Sequence, residues 1–335
     1  MISREAQFYP NGHWLSEKQL HKLRDLLGDF RLENPASESE ELAVLKQQYL
    51  SFYNIDFPTE FPDLAIRHKM GKIHSGAFEL MCQAWRPSEY KAWVVLVHGY
   101  YDHMGIYQHI IRHLLEDGYA VLGFDLPGHG LSSGERASID SFDAYSEALQ
   151  EVRTLVDDEP RPVHVLGQST GCAAIMNALL SERAEGFDQV LLLAPLVKPF
   201  GWNSGQWLFK LLNNRIQSMP RRFAINSHNI PFMKFLAEQD VLQPKQLSVT
   251  WVAAMKEWLD KVEAVSEPCD KAVVIIQGTD DKTVDWEFNL PQIEKAFRHV
   301  KVELIEDGRH QLVNEAQRYR EQVFRQVSQY LEQSA

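Results

Sequence analysis

Short, continuous apolar runs that alternate with helical stretches are the feature that most constrains how this chain folds. Seven segments read as strands, several of them such runs: FELMCQAW (78–85), AWVVLVHG (92–99), AVLGFDLPG (120–128), VHVLGQS (163–169), VLLLAPL (190–196), AVVIIQG (272–278) and KVELIED (301–307). A strand with one face in water alternates apolar and polar residues. A run that is apolar throughout is a strand covered on both faces. Between them lie YQHIIRHLLEDG, FDAYSEALQEVRTLVDD, TGCAAIMNALLSER, FNLPQIEKAFRH and QLVNEAQRYREQVFRQVSQYLEQ, each with helical spacing. Alternation of this kind predicts an α/β fold with a mostly parallel central sheet and helices on both faces.

Two segments depart from the rhythm. Residues 1–64 read as a helical extension. In LSEKQLHKLRDLLGDF (15–30) Leu20, Leu23, Leu26 and Leu27 recur at helical spacing, and Ser16 with Gln19 has the form of a capping box. A second helix is expected in 37–53, with Ser37 and Glu40 as its box, before PTEFPD (58–63) breaks the pattern. Residues 197–269 show no clear strand but carry Phe200, Trp202, Trp207, Phe209, Phe223, Phe232, Phe235, Trp251 and Trp258. They predict a helical cap inserted between 65–196 and 270–335, the two parts of the core. Most of those aromatics suit an ordinary subdomain interior. Trp202, Trp207 and Trp251 are candidates for the wall of a pocket beneath the cap.

Bulk properties exclude several functions. A net charge of −12 over 335 residues is a poor basis for nucleic-acid binding, which needs a basic surface. Cys82, Cys172 and Cys269 are far apart and form no CxxC, so they read as reduced thiols and not as a disulfide frame or zinc site. MISREAQFYPNGHW has no apolar core of a signal peptide, and no run has the length of a transmembrane helix. The expectation is a cytoplasmic location. Oligomeric state is not legible.

Gly-x-Ser-x-Gly occurs twice, at 167–171 (GQSTG) and 130–134 (GLSSG). A nucleophilic serine of this type sits on a strained turn between a strand and a helix. Ser169 follows the apolar VHVLG and precedes the apolar CAAIMNALL, whereas Ser132 lies between PGHGL and the polar GERASID. Ser169 is therefore the candidate nucleophile, flanked by Gly167 and Gly171, and Ser132 a chance match. A serine hydroxyl needs a general base. His310, in KVELIEDGRHQLVNE, follows the last strand and precedes the last helix; His299 lies at the wrong end of that strand. In chain order Ser–acid–His the acid follows the preceding strand, which offers Asp280, Asp281 and Asp285. The oxyanion hole is expected from the backbone N–H of Thr170 and from that of Tyr100, placed after a strand by His98-Gly99. His109 and His113 have metal-ligand spacing on a helix, but no third ligand accompanies them and a solvated face is expected. His129 is expected to be structural.

HGYYDHMGIY (98–107), FDLPGHGLSSGER (124–136), GQSTG, QGTDDKTVD (277–285) and GRH (308–310) together resemble the monoacylglycerol lipase-like and lysophospholipase-like serine hydrolases of the α/β-hydrolase superfamily. The resemblance spans about 65–330, including the cap position. It implies the α/β-hydrolase fold with a lid, Ser169 as nucleophile, His310 as base, Asp281 as acid with Asp280 the weaker candidate, and oxyanion donors at Tyr100 and Thr170. It implies carboxylic ester hydrolysis through an acyl-enzyme, with an acyl lipid (monoacylglycerol or lysophospholipid) as the small-molecule substrate and no metal or organic cofactor. Gln168 and Thr170 stand where the family usually has His and Met, which predicts an altered pocket rim. The same scaffold also serves small-ester carboxylesterases, thioesterases and aminopeptidases. A catalytically inactive binding protein is the rival of a different class, disfavoured by the intact Ser169, Asp281 and His310. The aromatic cap would permit transient contact with a membrane surface, although no basic amphipathic stretch accompanies it.

Overall fold

The computed structural model describes residues 15–33, 38–158, 160–181, 186–202, 216–221 and 223–334. The chain opens with α1 (Glu17–Leu26), α2 (Glu40–Phe52) and a helical turn, α3 (Phe57–Glu60). It continues through β1 (Arg67–Ser75), β2 (Phe78–Arg86), β3 (Trp93–Val97), α4 (Gln108–Glu116), β4 (Ala120–Phe124), α5 (Phe142–Thr154), β5 (Val163–Gln168), α6 (Thr170–Leu180) and β6 (Val190–Leu193). After β6 come β7 (Ser218–Pro220), α7 (Ile230–Glu238), β8 (Gln246–Ser248) and α8 (Val249–Glu263). The chain closes with β9 (Val273–Gly278), α9 (Trp286–Ala296), β10 (Val300–Ile305) and α10 (Gln317–Leu331).

Eight strands form one sheet in the order β1-β2-β4-β3-β5-β6-β9-β10. β1–β2 and β2–β4 pair antiparallel, and every other neighbouring pair is parallel. The central strands β3, β4, β5, β6 and β9 are buried at every residue, as their unbroken apolar sequences require. Two apolar clusters cover the two faces. One of them takes in Leu20, Leu23, Tyr49, Phe52 and Phe57 of the N-terminal helices together with Ile110, Leu114 and Val323 of α4 and α10. Trp85 of β2 donates its indole N–H to the Ile55 carbonyl, which ties the extension to the sheet edge.

Three local expectations change. The capping box at Ser16 forms as read, but α2 is capped by Ser39, whose Oγ accepts from Leu42 N; Ser37 lies outside the described residues. A strand unread in the sequence, RHKMGKIHS, forms the antiparallel edge β1, where only one flank is paired and polar residues are tolerated. The interval 197–269 is not strandless: β7 and β8 make a two-stranded antiparallel ribbon pairing Ser218 with Ser248. Three residues are too few to show a period.

Candidate active site

β5 ends at Gln168, and α6 begins at Thr170. The single residue between them, Ser169, has φ 54° and ψ −111°, a strained conformation for a residue with a Cβ. The two glycines make the turn feasible. A Cβ on Gly171 would collide with the Val97 carbonyl, and one on Gly167 would lie 2.6 Å from Ile175 Cδ1. Ser169 N donates to Leu193 O (2.9 Å), which fixes the turn against β6.

The loops at the ends of β9 and β10 bring two further side chains to this turn. His310 Nε2 lies 2.9 Å from Ser169 Oγ, and His310 Nδ1 lies 2.8 Å from Asp281 Oδ2. A carboxylate only accepts, so Nδ1 carries the proton and Nε2 is left to accept from the hydroxyl. All three side chains are nearly buried. Asp281 also accepts from Thr283 N (2.8 Å), Val284 N (3.1 Å) and Gln277 Nε2 (3.1 Å). Burial alone would raise its pKa, but the His310 imidazole and these donors outweigh it and hold the carboxyl below the usual range. Asp280 is elsewhere: it pairs with Lys282 (2.8 Å) and Arg309 (3.2 Å) and is partly exposed. Asp285 is bound to Lys198 (2.8 Å).

The loop holding His310 is fastened by Glu315, a fully buried carboxylate. It accepts from Arg309 N (2.9 Å), Ala316 N (2.7 Å), His228 N (2.8 Å) and His228 Nδ1 (2.9 Å). Gln168 is fully buried and not on the pocket rim, contrary to expectation. Its Nε2 donates to the His310 carbonyl (2.9 Å) and so ties the nucleophile's strand to the base's loop.

Across the turn, Gly99 brings the backbone close: a Cβ there would lie 3.4 Å from Ser169 Cβ. Among the described residues no acceptor pairs with the backbone N–H of Tyr100 or of Thr170. His98 is buried and shapes this loop. Its Nδ1–H donates to Gly99 O (2.8 Å) and its Nε2 accepts from Leu126 N (2.8 Å), one neutral tautomer satisfying both; burial pushes its pKa far down. The Tyr100 side chain turns away, donating to Ala137 O (2.7 Å) and stacking on Trp251 of α8 at 3.7 Å between centroids. Four residues that sequence reasoning missed complete the region. Asp102 accepts from Tyr107 Oη (3.2 Å) and Gln311 Nε2 (3.1 Å), Tyr107 Oη in turn accepts from Gly99 N (3.0 Å), and Arg221 lines the same space. Asp102 follows HGYY by one residue, a signal that was available; Arg221 stands in no motif.

Ser169, Thr170, His310, Gly99 and Tyr100 all border one cavity of about 400 Å³. Leu196, Trp202, Met219, Met233, Trp251 and Met255 supply an apolar wall, and Asp102, Arg221, Asn226 and Gln311 a polar one. Trp202 and Trp251 line this cavity, while Trp207 lies outside the described residues. Ser132 is used structurally: its Oγ donates to Asp125 O (2.5 Å) and accepts from Met81 N (2.9 Å). His129 is buried, its Nδ1 2.9 Å from Pro127 O. His113 meets Ser328 (2.8 Å), and the described residues contain no group of three or more His, Cys, Asp or Glu suited to a metal ion. No described helix is long and apolar enough to cross a membrane.

Residues 88–317 match the family model Hydrolase_4, described as serine aminopeptidase, S33. The chain is 26% identical over 267 residues to monoglyceride lipase from Homo sapiens, covering 76% of this chain and 87% of the human one. It is also 26% identical over 267 residues to phospholipase YtpA from Bacillus subtilis (strain 168), covering 74% and 98%. A solved structure of a soluble variant of monoglyceride lipase from Saccharomyces cerevisiae, bound to a substrate analog, superposes with TM-score 0.69. It is 18% identical and covers 78% of this chain and 94% of that one.

Proposed function

Because the chain belongs to the Hydrolase_4 family of α/β-hydrolases, we propose that it hydrolyses carboxylic esters of acyl lipids through an acyl-enzyme on Ser169. The observation that carries the reading is the unbroken relay from Ser169 Oγ to His310 Nε2 (2.9 Å) and from His310 Nδ1 to Asp281 (2.8 Å), opening into a cavity with one apolar wall. His310 takes the hydroxyl proton as Ser169 Oγ attacks the carbonyl. The Tyr100 and Thr170 amides, without an acceptor among the described residues, donate to the developing oxyanion. His310 then protonates the leaving alcohol, Asp281 steadying its positive charge, and water repeats the cycle to release the acid.

The lipid assignment is supported by the cavity wall. Three methionines, two tryptophans and several aliphatic side chains suit a flexible acyl chain. The curated relatives named as monoglyceride lipase and phospholipase point the same way. The decisive experiment is hydrolysis of p-nitrophenyl esters from acetate to palmitate by wild type and Ser169→Ala. Activity on the longer chains, lost in the variant, is expected. An optimum at acetate or butyrate turns the assignment to a small-ester carboxylesterase, and full activity in Ser169→Ala overturns the mechanism.

A further inference from the structure

The polar wall of the cavity holds a cation that the hydrolytic relay does not use. Arg221 follows β7, and its backbone N–H donates to Lys245 O (2.9 Å), which places it at the end of the ribbon. Its guanidinium is held on three sides. Nη1 donates to Gln243 Oε1 (2.8 Å) and Pro244 O (3.2 Å), and the planar group lies 3.9 Å from the centroid of the Tyr101 ring and 4.3 Å from that of Phe223. Gln243 is itself fixed, donating Nε2 to the buried Asp240 (3.0 Å). Yet among the described residues no carboxylate forms an ion pair with Arg221, although it is largely removed from solvent. A guanidinium held this rigidly and left without an anion is ready to receive one.

Its place in the cavity decides which part of a substrate it would meet. Asp102 lines the same cavity as Arg221 and accepts from Gln311, the residue beside His310. This polar end of the cavity suits the alcohol, as the apolar wall suits the acyl chain. We propose that Arg221 binds a phosphate carried by the glycerol of the leaving group, so that phosphate-bearing monoacyl glycerol esters are preferred substrates. A glycerol phosphate end presents both complements at once: an anion for the guanidinium fork, and a free hydroxyl to donate to Asp102. Neutral monoacylglycerol satisfies only Asp102. This assignment rests on the reading of the site as an ester hydrolase, and the test separates the two.

Wild type, Arg221→Met and Arg221→Lys are assayed on 1-oleoylglycerol and on 1-oleoylglycerol 3-phosphate. The quantity read is the ratio of kcat/KM for the phosphate ester to that for the neutral ester, which does not depend on the fraction of folded enzyme. Arg221→Met is expected to lower the ratio by about tenfold or more, the size of a lost charge-assisted hydrogen bond. Arg221→Lys, which keeps the charge but not the fork, restores it in part. In wild type alone, glycerol 3-phosphate is expected to inhibit neutral-ester hydrolysis more strongly than glycerol does. An unchanged ratio in Arg221→Met, or equal inhibition by the two glycerols, overturns the proposal. Wild type that cleaves the neutral ester but not the phosphate ester also overturns it, while the ester-hydrolase reading stands. Wild type inactive on both, and on p-nitrophenyl esters, overturns that reading itself.

Discussion

At the scale of single residues, Asp280 and Asp281 show how adjacent carboxylates acquire different work. Asp281 faces inward, receives backbone N–H groups and meets His310; Asp280 faces the surface cations Lys282 and Arg309. Asp281→Asn removes the acceptor that fixes the His310 tautomer, so kcat is expected to fall by about 10⁴-fold. Asp280→Asn breaks only partly exposed pairs and is expected to change kcat/KM by about fivefold at most. Steady-state kinetics of both variants on one ester checks the assignment, and equal losses would refute it. Ser169 and His310 were legible because strand, turn and helix stand in order around them. The choice of Asp281 over Asp280 came from the resemblance and not from the residues themselves, because neighbouring residues differ in direction, and direction is set by the turn. Gln168 was misjudged for the same reason: its side chain points into the protein to hold the His310 carbonyl and not toward the rim. Arg221 was invisible, since its partners lie 22 and 23 residues away in Gln243 and Pro244 and as far off as Tyr101.

At the scale of elements, the central strands were legible because burial on both faces writes an unbroken apolar run, whereas the edge β1 and the ribbon β7–β8 write none. The N-terminal helices are bound to the rest of the protein by more than apolar contact. Tyr53 at the end of α2 donates its hydroxyl to Asp240 (2.8 Å), which also pairs with the fully buried His103 (2.9 Å) and caps Leu242 N (3.1 Å). Asp240 remains ionised: burial would raise its pKa, but the His103 partner and these donors prevail and hold it low. Tyr53→Phe leaves that carboxylate one donor short and is expected to cost about 1.5–3 kcal/mol. Urea unfolding measures it. A change below about 0.5 kcal/mol would mean that the hydroxyl contributes nothing and that only ring packing matters.

At the scale of the whole molecule, several histidines are carried uncharged in the interior. His129 is the clearest: burial, the largest influence, brings its pKa down to about 4. Unfolded, it titrates near 6.5. Between those values the unfolded chain binds a proton that the folded protein does not, so stability falls as pH falls through that window. From pH 6.5 to pH 5 the group accounts for about 2 kcal/mol. His129→Asn keeps a donor where Nδ1 meets Pro127 O but cannot take up the proton. Its stability is expected to decline less steeply with acid than that of wild type, read as Tm from pH 7 to pH 5. Parallel curves would show that His129 is not the group involved. The overall architecture was legible at this scale, from strand–helix alternation and the Ser–Asp–His order. The way Tyr53, His103 and Asp240 share one buried polar network was not, because it joins residues with no pattern in common.

The Asp240 junction also has a consequence in time. Its partners Tyr53 and His103 precede it by 187 and 137 residues. A chain leaving the ribosome therefore presents α2 and the loop after β3 long before the carboxylate that joins them has been made, and the apolar face of α2 must wait, exposed, until then. His310 emerges later still, 141 residues after Ser169. Each nascent chain thus carries Ser169 before His310 exists to meet its hydroxyl, so the contact between them cannot form until residue 310 has been made.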